Sequence, residues 1–329
     1  MLLWTALCAL ALAQPGDARP GAGAGALSAA PSDAASRPWR ESPRFGLSAA
    51  ELLAAAELVA APDGASVFVL YQDTSYSFEA DGRLTQSRYW IYQIKDSAAL
   101  ADWSTSQVRW SKSTQERPAV RARVVTAGGE EHWLDAATAS RDRRAPEGRE
   151  GLHGDRWLRE APLPAVSVGA VVEEEIVLRD VAPVFGAGTA HRHYTALLAP
   201  TLDGRLTLKA STRLALRYGA RLMPPGARPQ TSVADGTVRV VFDFADLPPV
   251  EAPEDGMPGH RPRFPQVAFS TGRSWQRVAG ELSARVEAAV READLEVLGS
   301  VVRGAGRMDR RARIDAILQA VRRAVPNHR

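Results

Sequence analysis

The stretch "SYSFEADGRLTQSRYWIYQI", residues 75–94, decides the fold class. Apolar or aromatic side chains alternate with polar ones on both sides of Asp81-Gly82, a dipeptide that accepts the backbone of a tight turn, so the segment reads as two strands folded back on each other. The same pattern recurs in "SVFVLYQD" (66–73), "AVRARVV" (119–125), "AVVEEEIVLRD" (170–180), "RHYTALLAP" (192–200), "STRLALRYGA" (211–220) and "GTVRVVFDF" (236–244). Asp203-Gly204 and Asp235-Gly236 read as further turns. No long helical period interrupts residues 66–269. Many short strands without crossover helices imply a mainly β, antiparallel architecture, most simply two packed sheets forming a β-sandwich.

Helices flank the strands. In "LSAAELLAAAELVAAPDG" (47–64), Ser48 and Glu51 have the spacing of a capping box, and Pro62 and Gly64 close the segment, which predicts a short helix with Leu52, Leu53, Leu58 and Val59 resting on the strands. Beyond the strands, Trp275, Val278, Leu282, Val286, Val290 and Ala293 recur at helical spacing, as do Ile314, Ile317, Leu318, Val321 and Val325 in "RIDAILQAVRRAVPNHR" (313–329). The two stripes form a C-terminal pair of α-helices too small to bury both on its own. The β domain, another chain or a continuation must cover them.

The remaining segments read as tether and loop. "MLLWTALCALALAQPG" opens with an apolar run from Leu2 to Ala13, too short to span a bilayer, and Ala11-Leu12-Ala13 stands before Gln14, the pattern of a cleaved signal peptide, although no Lys or Arg precedes the run. The chain therefore divides into a signal peptide (1–13), a disordered Ala/Gly/Pro/Ser-rich linker (14–45), a β-sandwich with its leading helix (46–250), a Pro-rich connection (251–265) and a helical segment (266–329). "RDRRAPEGREGLHGDR" (141–156) reads as a long exposed loop. With 329 residues, 45% hydrophobic, a sizeable core is available. The net charge is only +3, with arginines interspersed among acids, which is weak evidence for a nucleic-acid partner, and none is expected.

Few residues offer chemistry. Cys8 is the single cysteine and lies in the segment read as removed, so the mature chain has no thiol nucleophile, disulfide or cysteine metal ligand. No G-x-S-x-G elbow surrounds Ser167 or Ser274. Gln72 to Ser75, "QDTS", lacks the glycine of an aspartyl protease loop and reads as a polar turn. His191 and His193 alternate along one strand, so they share a face usable by a metal, but further ligands would have to come from His132, His153 or a distant carboxylate; two strand histidines without metal is the reading taken. Glu173, Glu174 and Glu175 read as a solvated strand end. Trp90, Trp103, Trp110, Trp133 and Trp157 suit either a carbohydrate platform or core packing. No catalytic, cofactor-binding or metal residue is assigned, and no cofactor is expected.

Three stretches carry a resemblance. "PDGASVFVLYQDTSYSFEADGRLTQSRYWIYQIKD" (62–96), "RWLREAPLPAVSVGAVVEEEIVLRDVAPVF" (156–185) and "PQVAFSTGRSWQRVA" (265–279) resemble, in collinear order, the bacterial domain of unknown function 3857, which sits N-terminal to a transglutaminase-like domain in exported proteins. The resemblance runs from Pro62 to the end. It implies a β-sandwich followed by the opening helices of a transglutaminase-like core, with the chain truncated before the catalytic cysteine, histidine and aspartate. The expected function is that of an exported, periplasmic or envelope-associated, non-catalytic binding module. Its C-terminal helices would recruit an envelope protein or polymer, and no transmembrane segment is expected in the mature chain. The alternative is the accessory N-terminal part of a cysteine-dependent transglutaminase-like protease or transferase, and a metal- or glycan-binding module is a third reading.

Overall fold

The computed structural model describes residues 37–324 apart from 146–154, 184, 187, 251–263, 293–298, 300–303 and 305–307. The signal peptide, Cys8, His153 and nearly all of the Pro-rich connection lie outside the described residues. Strand β1 (Val67–Phe78) turns back into β2 (Leu84–Ile94), with Glu79 N–H donating to the Arg83 carbonyl at 2.9 Å and Gly82 at φ 94°. The turn read at Asp81-Gly82 is therefore present. Residues 67–78, read as two strands with a polar turn at Gln72–Ser75, form one continuous twelve-residue strand.

The chain continues through α2 (Leu100–Trp103), β3 (Thr105–Ser111), β4 (Ala119–Val125), β5 (Glu131–Trp133), α3 (Ala136–Ala139), β6 (Arg141–Arg144), β7 (Arg156–Pro162) and β8 (Val171–Arg179). It then forms β9 (Ala190–Tyr194), β10 (Thr201–Ser211), β11 (Arg217–Arg221), β12 (Gln230–Ala234), β13 (Thr237–Leu247) and β14 (Gln266–Ser270). Eight strands build one large sheet in the order β12-β13-β10-β1-β2-β8-β4-β5, and two three-stranded sheets have the orders β11-β14-β9 and β3-β7-β6. The fold is mainly β and antiparallel, with one parallel ladder between β1 and β10. A bulge at Val69/Tyr71 turns Leu70 and Tyr71 to the same face of the large sheet, where both join one apolar cluster.

The two small sheets cover one face of the large one. Phe269 and Val267 of β14 pack on Tyr76, Phe78, Leu206, Leu208 and Phe242, while Ala161 of β7 packs on Val120 and Ile176. The opposite face carries the N-terminal segment: Trp39 and helix α1 (Ala49–Glu57), through Leu52, Ala55 and Ala56, lie on Phe68, Leu70, Tyr71, Tyr89, Ile91 and Leu202. Ser48 caps α1, accepting from Glu51 N–H while the Glu51 carboxylate accepts from Ser48 N–H. Leu58, expected on the core side, is 72% exposed, because the helix ends there.

Three sequence boundaries are corrected. Residues 37–45, assigned to the linker, are seated on the large sheet. Strand β14, assigned to the helical segment, is the central strand of a small sheet, paired with β11 and β9. Residues 141–144 and 156, read as loop, pair as β6 and β7. Two helices follow β14: α4 (Trp275–Glu292) and α5 (Arg310–Ala324). Among the described residues no helix is long and apolar enough to cross a membrane.

Candidate functional site

Polar residues concentrate beneath the N-terminal segment. Asp203, fully buried, accepts from Arg37 at 2.6 Å, from Arg40, and from the Trp39 indole at 3.3 Å. The bond to Asp203 raises the Arg40 pKa, a gain that outweighs the loss from burial. Arg44 bonds Asp73 at 2.8 Å and also Glu175 and Ser87; burial lowers its pKa, but these bonds outweigh burial and hold it up. Glu173, 2% exposed, accepts from Arg123 Nε at 2.6 Å, from Phe45 N–H at 2.6 Å and from the Tyr89 hydroxyl. Burial and then the Glu173 charge push the Tyr89 phenol far up. Phe45 sits at φ 59°, a left-handed conformation costing about 1–2 kcal/mol for a non-glycine residue. Its ring packs 5.6 Å from Tyr89 with the Arg121 guanidinium 4.1 Å above it, contacts that offset the strain.

This arrangement revises the glutamate reading. Glu173 and Glu175 do share a face, but Glu173 is buried beneath Phe45, and Glu174 on the other face is 6% exposed and accepts from Ser106 at 2.9 Å. Each carboxylate is held by a donor, so the triplet anchors layers on both sides of the sheet. A pattern of three consecutive acids gave no signal of burial, because their partners stand 50 or more positions away.

His191 and His193 share a face of β9, as their spacing requires, and that face is aromatic. His191 stacks on Phe269 with centroids 5.5 Å apart. His193 Nδ1 lies 3.3 Å from the Tyr76 hydroxyl, within hydrogen-bond reach, and that hydroxyl also accepts from Gln86 at 3.3 Å. Burial lowers both histidines, His193 to about 4, and pushes Tyr76 up to about 12. His132 is on β5, at the far edge of the large sheet. Among the described residues no group of three or more His, Cys, Asp or Glu is disposed to hold a metal.

The tryptophans do not share one surface. Trp90 and Trp103 lie 6.3 Å apart under the β3 sheet, Trp133 flanks Phe45 on the opposite face, and Trp110 pairs across strands with Trp157. Gln72, buried within β1, donates to the Thr195 carbonyl.

The C-terminal helices differ from all of this. Ser274 accepts from Arg277 N–H at the start of α4, and none of that helix's residues is buried. Trp275, Leu282, Val286 and Val290 are 49–61% exposed, a stripe at helical spacing that opens to solvent. Contacts to the β domain are few: the Glu281 carboxylate accepts from Gly186 N–H at 3.0 Å, and Arg285 lies 4.6 Å from the Phe185 ring centre. On α5, Ile314 and Leu318 are also about half exposed. This stripe of exposed apolar side chains at helical spacing is the candidate functional site.

Comparison with known proteins follows the β domain. A family model described as "Domain of Unknown Function with solved-structure structure (DUF3857)" matches residues 80–251, from the β1–β2 turn to just past β13. No curated protein matches. Among solved structures, a "putative protease" from Parabacteroides distasonis ATCC 8503 superposes with a TM-score of 0.63 at 11% identity, over 78% of this chain and 50% of that one. The M1 zinc metallopeptidase of Deinococcus radiodurans gives a TM-score of 0.34 at 9% identity, over 63% and 42%. The first likeness shows a shared fold, and this chain spans half the length of that structure.

Proposed function

The chain belongs to the DUF3857 family, and from that premise we propose that it is an exported, non-catalytic β-sandwich interaction module of the periplasm or cell envelope, docking through its C-terminal helices. The observation that carries this reading is the uncovered stripe Trp275, Leu282, Val286, Val290 on a helix with no buried residue. An amphipathic helix held by so few contacts gains most of its stability from whatever covers its apolar face. The face of the large sheet under the N-terminal segment, by contrast, is covered and its acids are paired.

A second reading gives the partner a chemistry. The Parabacteroides protein is described as a "putative protease", and the match covers only half of it. That supports a protease domain as the body against which α4 and α5 rest, with this β domain as its accessory, and the family resemblance read from the sequence would make it a cysteine-dependent transglutaminase-like one. A thiolate, imidazole and carboxylate would have to come from that body, because the only cysteine here is Cys8.

One experiment tests both. A photo-crosslinking amino acid is placed at Val286 in the protein expressed in its native cell, and cross-linked peptides are identified in separated envelope fractions. Adducts to a domain carrying cysteine, histidine and aspartate, in the same or another polypeptide, support the second reading; adducts to another envelope component support the first alone. Adducts confined to the chain's own β domain, or a product that stays in the cytoplasm, overturn the proposal.

A further inference from the structure

The layer that covers the large sheet is split. One small sheet, with β9 at its edge, lies over β13, β10 and β1; the other, with β3 at its edge, lies over β8 and β4. Between them, above β2, the covering layer is interrupted by an open cleft of about 370 Å³. Its wall is the β3 edge, where the consecutive residues Gln107, Val108 and Arg109 all line the space, and its floor includes Arg88 of β2 and Ile176 and Leu178 of β8.

Three features of that edge point to a ligand class. First, β3 pairs only with β7, in unbroken register from Thr105–Pro162 to Ser111–Arg156, and among the described residues no backbone group of 107–109 bonds anything else. In such a ladder alternate N–H and C=O groups point outward, and a free edge of this kind is a template for another strand. Second, at seven residues β3 is longer than the other edge strands β5, β6, β9, β11 and β12, and "TSQVRWS" has none of the usual protections of proline, lysine or a bulge. Third, the cleft is cationic: no carboxylate lines it, Arg109 is exposed without an ion pair among the described residues, and Arg88 reaches Glu174 only at 3.6 Å while stacked 4.4 Å from the Trp90 ring centre.

We propose that this cleft is a strand-addition site for an extended segment of a separate polypeptide that carries an acidic side chain. The segment bonds the β3 edge through its main chain, directs a carboxylate to Arg109 and Arg88, and lays its alternate side chains on Ile176 and Leu178. The site is distinct from the helical stripe and does not rest on the function proposed for it.

The test selects binders from a displayed library of random seven-residue peptides against the full chain and against Arg109→Glu, a change at an exposed position, with the variant's fold checked by circular dichroism. The expected result is an Asp- or Glu-containing pool that binds Arg109→Glu at least tenfold more weakly. Its binding slows exchange at least tenfold at the amides within 107–109 that point away from β7, and N-methylation of alternate peptide amides abolishes it. A pool indifferent to Arg109→Glu, or the absence of any enriched pool, overturns the proposal. So does slow exchange, in the free protein, of the amides within 107–109 that point away from β7, which would mean that another part of this chain already fills the cleft.

Discussion

Residues 37–57 and helix α4 (275–292) flank the same β domain, both rich in alanine and arginine and both amphipathic, yet the first is seated and the second has no buried residue. The first buries Trp39, Leu52, Ala55 and Ala56, whereas α4 buries nothing. Apolar periodicity, alike in both, therefore does not determine where a helix rests. The difference lies in polar complementarity: Arg37, Arg40 and Arg44 meet Asp203, Asp73 and Glu175 on the sheet, and Arg123 reaches the Leu47 carbonyl while holding Glu173 beneath Phe45. Across from α4, among the described residues, the contacts include the Gly186 N–H and the Phe185 ring.

The comparison can be broken most decisively at Arg123. Arg123→Ala leaves Glu173 buried without its cation, and removing one partner of such a pair costs about 3–5 kcal/mol. Urea unfolding of the full chain, followed by tryptophan fluorescence, measures the loss; a change under about 1 kcal/mol would show that ionic matching does not seat the N-terminal segment. Equal truncations on the two flanks sharpen the contrast. Leu52→Ala, at a fully buried site, costs about 3 kcal/mol, whereas Leu282→Ala, half exposed, stays within about 0.5 kcal/mol in the isolated chain. Similar losses at both would mean that α4 is packed in solution.

A smaller effect, read by acid, lies in the β domain between the flanks, at His193 of β9. His193 is lowered to about 4 in the folded chain from 6.5. The unfolded state therefore binds the extra proton first, so its contribution is fully present above pH 6.5, declines as pH falls, and is lost below about 4. The expected loss is about 2 kcal/mol at pH 5, less to the extent that the ring's exposed edge is hydrated. Stability curves at pH 7 and 5 for the parent and His193→Asn read it, and an equal slope in both would remove the histidine from the account.

The strands, the β1–β2 turn, the leading helix and the C-terminal stripes were legible because each is a local pattern. Asp-Gly shows where local reading ends. At Asp235-Gly236 both residues take positive φ and close the β12–β13 hairpin, as the dipeptide suggests. At Asp203-Gly204 the same letters lie within β10, where Asp203 is claimed by three donors of the N-terminal segment and Gly204 leaves room for the Phe244 ring, which a Cβ would overlap. The seating of residues 37–45 was equally hidden. Their composition resembles a linker, and their order comes from acids placed up to 166 positions away. The split in the covering layer depends on which strands pair, information that no single strand carries.

The parallel ladder between β1 and β10 has a consequence in time. β1 is complete at Phe78, but the strand that covers its second edge ends only at Ser211. At roughly 5–20 residues per second of synthesis, that edge waits on the order of ten seconds for its partner. During the interval the hairpin of β1 and β2 presents Val67, Val69 and Leu70 beside an unpaired backbone, the composition from which intermolecular sheets nucleate. The molecule's earliest vulnerability thus arises from the order in which its most buried strand is made and finished.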